Sequence, residues 1–244
     1  MAAQSLLPSV IGMQNISRST GLSPRGKARL AGIFEALEGA ASASGQVGIL
    51  NSMVVAGNAA ATAHNILANE FVYRIGFLVS LAGVAFHLAW VLLMYQLLKP
   101  LNRTLAQLAV FMVLISIAMQ AVTSLLYVAP LLILQSGIDA NQASSLAFAV
   151  LKINGAAFEI DLVFFGLWCI LTGYLYWRST FLPRVLGLLL MLDGAGWSLY
   201  VWPPLATLVF PAIAVASAAA EIPLQLWLII FGFDNERYRT QTSA

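Results

Sequence analysis

Charge is scarce in this chain. Its 244 residues hold 12 basic and 10 acidic side chains, 9% in all, where an ordinary soluble domain carries about 25%. With 60% hydrophobic residues, that scarcity excludes a water-soluble fold of this length, which could not hide so much apolar surface; a helical membrane bundle need not hide it. The net charge of +2, with basic residues spread along the chain, excludes nucleic acid as a partner. A single cysteine, Cys169, excludes an intrachain disulfide. The two histidines, His64 and His87, form no HExxH, ExxH or paired spacing, so no metal site is predicted. Gly-rich phosphate loops, Ser–His–Asp arrangements and Cys pairs are also missing, and no cofactor is expected.

Long apolar runs are what the sequence has in abundance. Windows of about 20 residues, enough to cross a bilayer, fall at 30–55, 72–98, 105–133, 156–177, 182–202 and 206–232. They predict an all-α integral membrane bundle of about six transmembrane helices, with the lipid bilayer as its partner. Of the 12 basic residues, all but Arg74 and Lys152 fall on one face of that arrangement, so the positive-inside rule places both termini in the cytoplasm. The division expected is a disordered basic tail over 1–28, a six-helix transmembrane domain over 29–233 and a short polar tail over 234–244. No secretory signal is expected at the N-terminus, and a basic tail reads better there than an organellar transit peptide.

The chemistry sits where charge is least welcome. Glu221 lies in the middle of the run Ala206 to Phe233, Asp193 in the fifth run, and Glu35 and Glu38 in the first. An ionised group at a bilayer centre costs roughly 2.5–3.5 kcal/mol on insertion scales. These four acids must therefore face one another, face a cavity, or stay protonated. Glu35, Glu38, Ser42 and Gln46 follow an i, i+3, i+7, i+11 pattern, one face of a helix, and read as a cavity wall in preference to a packing seam. Asp193 is followed by Gly194-Ala195-Gly196-Trp197 and Tyr200, so backbone or ligand can approach it closely. Glu221 precedes Pro223, which removes a backbone donor and loosens the local turn. His87 is central in the second run. Lys152 with Glu159, and Asn154 with Asp161, each seven residues apart, read as polar residues at a solvated helix entrance. Trp177 and Trp202 fit an interfacial belt, whereas Trp90, Trp168 and Trp197 lie deeper.

The stretch Val163-Phe164-Phe165-Gly166-Leu167, through Gly173-Tyr174-Leu175 to Phe181-Leu182-Pro183-Arg184-Val185-Leu186-Gly187, resembles the multi-pass membrane family catalogued as domain of unknown function 4386. The likeness extends to Arg29-Leu30-Ala31-Gly32, Gly57-Asn58-Ala59-Ala60-Ala61-Thr62, Leu97-Leu98-Lys99-Pro100-Leu101-Asn102-Arg103, and Glu221 with Leu226-Trp227-Leu228. It covers nearly the whole chain after about residue 28 and implies a six-span protein with no established reaction. Trp168 stands where the family pattern usually has histidine. Glu35, Glu38 and Asp193 fall at positions that look apolar in the family, and Glu221 matches it. The resemblance thus implies a family-wide role for Glu221, with the other acids and Trp168 adapting this member to its own ligand.

These observations lead to an expected intramembrane site with an apolar, prenyl- or lipid-like small molecule as ligand. As an enzyme the chain is expected to be a cofactor-free, acid-catalysed cyclase or isomerase. Asp193, Glu221, Glu35 and Glu38 are the catalytic candidates; Trp168, Trp197, Tyr200 and His87 are the substrate-binding ones. A buried carboxylic acid can protonate an alkene or epoxide, and aromatic faces stabilise the resulting cation. The alternatives are a small proton-coupled permease, since intramembrane acids mark ion pathways, and a non-catalytic membrane scaffold.

Overall fold

The computed structural model describes residues 21–243, and these form an all-α bundle. Most of the expected basic tail lies outside the described residues. Its last part is helical, because α1 (Pro24–Ser42) starts where the Ser23 hydroxyl accepts from the Gly26 N–H at 3.1 Å, a favourable N-cap. α1 continues without a break through a π-helical stretch, Ala43–Leu50, into the single turn α2 (Asn51–Met53). α3 (Ala59–Ala68) is capped by Asn58, which accepts from the Ala61 N–H at 2.9 Å; His64 lies on its exposed side. Then come α4 (Glu70–Leu98), α5 (Arg103–Leu134), α6 (Ala140–Arg178), α7 (Arg184–Ser198, extended to Val201 by a 3-10 turn), α8 (Pro203–Ile230) and α9 (Asn235–Thr242).

Five of these, α4 to α8, are long and apolar enough to cross a membrane. α1 carries Arg25, Lys27, Arg29, Glu35 and Glu38 and does not meet that measure. Large apolar side chains point outward along the long helices: Phe71 is 76% exposed, Leu208 76% and Val215 71%. Surfaces like these are at home against hydrocarbon. The protein is an integral, multi-pass membrane protein.

The helices close into a ring. α1 packs on α4, α4 on α5, α5 on α6, α6 on α7, α7 on α8, and α8 returns to α1. Glycines set two of these seams. Between α6 and α7, Gly166 meets Gly194 and Gly173 meets Gly187; a Cβ added to Gly173 would stand 2.7 Å from the Gly187 carbonyl oxygen. Between α1 and α8, a Cβ on Gly32 would stand 2.8 Å from the Leu228 Cβ. Small residues let membrane helices approach to backbone contact. The α6–α7 seam anchors α7 against α6, the longest helix.

The end of the ring where both described termini gather is closed by α9, which forms where a polar tail was expected. Phe233 is fully buried, with ring centroids 4.4 Å from Phe181 and 6.3 Å from Tyr176. Tyr238 donates to the Leu97 carbonyl at 2.8 Å, and Arg25 donates its N–H to the Asn235 side chain at 2.9 Å. Residues 140–155 extend α6 well beyond the predicted run, and α3 packs against it.

Candidate functional site

Every ring helix except α4 contributes a wall to one central cavity of about 240 Å³. α1 supplies Glu38 and Ser42, the π-helical stretch Val47, and α5 Gln120. α6 supplies Phe158, Asp161, Leu162 and Phe165, α7 Trp197, and α8 Glu221. The polar stripe predicted on the first helix does face inward: Glu38, Ser42 and Gln46 line a small adjoining space with Gln120 and Thr123. A further cavity of about 290 Å³ shares Val47, Phe158 and Leu162 with the central one and extends to Lys152, Glu159 and Tyr200.

The acids meet. Glu35, one turn before Glu38 on α1, is buried and within interacting range of Glu38, Asp193 and Glu221. Glu38 in turn lies near Asp161 and Glu221. Asp193 follows the glycine seam into the interior and is fully buried. Glu221, Ser217 and Cys169 stand next to it within reach of its carboxyl, although none is aligned as a full hydrogen bond to either oxygen. α8 runs helically through Pro223. Because proline has no N–H, the Ala219 carbonyl beside Glu221 lacks its usual helical donor.

Buried polar groups normally find a partner, and around this centre several do not. The unpartnered atoms include Glu35 Oε2, both Asp193 oxygens, His87 Nε2, Trp90 Nε1, Thr172 Oγ1 and Trp197 Nε1. Others are tightly held. Ser116 donates to Asp161, and Asn154 bridges Gln46 and the Thr123 carbonyl. Gln120 is the hub of α5: its amide nitrogen donates to Glu38 at 3.4 Å, and its oxygen faces His87 Nδ1 at 3.0 Å. An amide oxygen only accepts, so this arrangement assigns a proton to Nδ1. None of the five central carboxyls is in an ion pair. The two pairs among the described residues, Arg74–Glu70 and Arg237–Asp234, lie near helix ends. Among the described residues no three His, Cys, Asp or Glu side chains are placed to hold a metal ion.

Of the sequence-predicted residues, Glu38, Glu221 and Trp197 line the central cavity, and Tyr200 lines the outer one. Glu35 and Asp193 back the central wall through Glu221. Trp168 is fully buried behind the wall, edge-on to Trp90 at 5.9 Å, and His87 stacks on Trp90 at 5.2 Å; neither lines these cavities. Asp161, Ser116 and Gln120 went unnoticed as site residues in the sequence. Asp161 is 2% exposed, so its reading as an entrance residue is corrected: it is buried on the wall of the central cavity. The overlooked signal was Ser116 and Gln120, four apart and so on one face, inside an otherwise apolar run.

No curated protein and no solved structure is detectably similar to this chain. The family model described as Domain of unknown function (DUF4386) matches residues 30–232, most of the sequence, and the chain belongs to that family.

Proposed function

We propose that this chain is a membrane-embedded, cofactor-free enzyme that protonates a small apolar molecule of prenyl or lipid type and isomerises or cyclises it. The observation that carries this reading is Glu221 and Trp197 on one cavity wall, with Asp193 beside Glu221. Five carboxyls crowded in an apolar surrounding cannot all be charged, since each buried ion costs several kcal/mol. Some therefore keep their protons and are available as general acids. Glu221 donates a proton to a substrate double bond. The cation that forms faces Trp197, Phe165 and Phe158, whose ring faces attract positive charge. Loss of a proton from a neighbouring carbon to a carboxylate of the same cluster closes the cycle, so an isomerisation consumes nothing. The chain then crosses the membrane six times, α1 among the spans, with both termini cytoplasmic, a reading that the one-sided distribution of basic residues supports.

A second reading, a proton-coupled carrier, draws support from the shared wall of the two cavities. Val47, Phe158 and Leu162 connect the acids to the Lys152–Glu159 end of α6. Both readings meet one test: chromatography-resolved mass spectrometry of lipid extracts from cells with the gene, without it, and with Glu221→Gln or Asp193→Asn. A precursor that accumulates alike in the deletion and an acid variant supports the enzyme and identifies its substrate. Unchanged pools overturn it, and ligand-driven proton uptake into liposomes, lost in Glu221→Gln, then supports the carrier.

A further inference from the structure

Where α4 passes into α5, the bundle holds cations that no acid answers. The chain has no acidic residue between Glu70 and Asp139, so the α4–α5 pair reaches this end with Lys99 and Arg103 and nothing of opposite sign. An open recess of about 380 Å³ is walled by Tyr95, Lys99, Pro100 and Arg103. Lys99 Nζ rests over the Tyr95 ring, 5.6 Å from its centroid, and neither cation is in an ion pair among the described residues. α5 begins at Arg103, so the positive end of its helix dipole adds to the same field. Leu101 and Asn102 of the same turn line a second recess, about 180 Å³, whose charged residue is Arg178. Neither wall includes an acid. The positive-inside rule accounts for the side on which cations collect, but not for their closing on a recess.

The surface beside the recess selects among anions. Leu88, Leu92, Tyr95 and Lys99 share one face of α4, at i, i+4, i+7 and i+11. On α5, Phe111 and Leu114 follow Arg103 by eight and eleven residues. Leu88, Leu92, Phe111 and Leu114 all point outward, Leu92 57% and Phe111 62% exposed. An anion held by Lys99 and Arg103 therefore has apolar surface running away from it along both helices. A soluble anion makes no use of that surface. A phospholipid uses both parts: its phosphate accepts from the ammonium and guanidinium groups, and its chains lie on the leucines and Phe111. A zwitterionic headgroup carries an ammonium that two cations repel, which an anionic one lacks. We propose that the recess holds the headgroup of an anionic phospholipid, its phosphate between Lys99 and Arg103 and its acyl chains along Leu88, Leu92 and Phe111. Tyr174 and Trp177, exposed on α6 before Arg178, suit that headgroup depth. The site is separate from the central cavity and independent of the chemistry proposed there.

The experiment titrates the full chain in detergent with phosphatidylglycerol or phosphatidylcholine of identical acyl chains and reads lipid retention by native mass spectrometry. Phosphatidylglycerol is expected to bind about tenfold or more tightly, the combined pull of two cations on one anionic headgroup. Lys99→Gln with Arg103→Gln should remove most of that preference and leave phosphatidylcholine nearly unchanged. Lys152→Gln, in the outer cavity, should leave the preference intact. Equal retention of the two lipids, or a preference that survives the double variant, overturns the proposal. Inorganic phosphate and glycerophosphoglycerol, the headgroup without its chains, distinguish a lipid from a free anion. Displacement of the lipid by either at equal concentration assigns the recess to soluble anions and overturns the lipid. Both side chains are exposed, so the double variant is expected to fold. Should its Tm collapse, the single variants carry the test, and each must cut the preference about threefold.

Discussion

At the end of the bundle where α1 begins and α9 docks, most buried polar groups are tied off, Trp227 Nε1 excepted. Tyr238 reaches the Leu97 carbonyl, Ser179 Oγ donates to the Tyr176 carbonyl at 2.8 Å, and the Asp234 N–H reaches the Phe181 carbonyl at 3.4 Å. Between them Phe181, Phe233 and Tyr238 pack ring on ring, with centroids 4.4 to 6.1 Å apart. Midway along the same helices the pattern reverses. Carboxyls crowd together, aromatic N–H groups go unpartnered, and cavities open between α1 and α6. A chain selected for stability alone would fill that level with apolar side chains, because a polar group buried without a partner costs about 1–3 kcal/mol. The closed end therefore serves cohesion, and the central level keeps an arrangement that cohesion does not require.

The largest effect is expected from Phe233→Ala at the closed end. Removing a fully buried ring there is expected to cost about 3–5 kcal/mol. That appears as a large fall in Tm in detergent, with ligand binding unaltered in the fraction that remains folded. A loss of binding without a loss of Tm would contradict the division. Next in size is Glu221→Gln at the centre. Product formation should drop about 100-fold or more, the range of a lost general acid, while Tm holds or rises slightly because a neutral amide replaces a buried acid. A Tm that collapses would make Glu221 a structural residue. Tyr238→Phe, which deletes one hydroxyl and its bond to Leu97, should cost about 1 kcal/mol and leave turnover alone, as a paired measurement of Tm and activity would show. The smallest effect concerns pH. The carboxyl of Asp234 is held below its ordinary value of 3.8, chiefly by the Arg237 backbone N–H that it accepts at 3.1 Å. Its capping of α9 is thus fully present above that value and is lost only as pH falls through the depressed one. Amide protection in α9, corrected for intrinsic exchange, should be flat from neutrality to about pH 5 and fall off only in stronger acid; a decline already at pH 6 would rule this out.

Much of this architecture could be read from the residues, and the failures share a cause. Hydropathy located α4, α5 and α8 to within about three residues because their apolar runs end at charged or proline-containing loops. It caught only the second half of α6, since Asn141, Gln142, Ser144, Ser145 and Lys152 dilute the apolar signal before residue 156. Helical spacing told which residues share a face, and so put Glu38, Ser42 and Gln46 on one wall. Spacing does not tell depth, however, and it reads Asp161 as an entrance residue when it is buried on the wall of the central cavity. Glycine beside Asp193 correctly announced close approach, and the approaching group is the backbone of α6. Trp168 shows the limit in the other direction: an aromatic residue within a turn of functional neighbours can face away from them. α9 escaped notice because its composition is polar, and one anchoring tyrosine is too small a signal.

The π-helical stretch from Ala43 to Leu50 carries a consequence for insertions and deletions. A π-helix winds more residues into each turn than an α-helix, so the chain after it is out of phase with α1. Rewinding the same eight residues as α-helix would swing whatever follows by about 100° or more, whereas losing one residue along with the π winding would nearly restore the phase. In the first case the neighbours of Leu50 and Asn51, which line the outer cavity, would turn away from it, although the composition of the chain had hardly changed. In this segment winding is as constrained as residue identity, and relatives that keep the wall without the π-helical stretch should be about one residue shorter before Asn51.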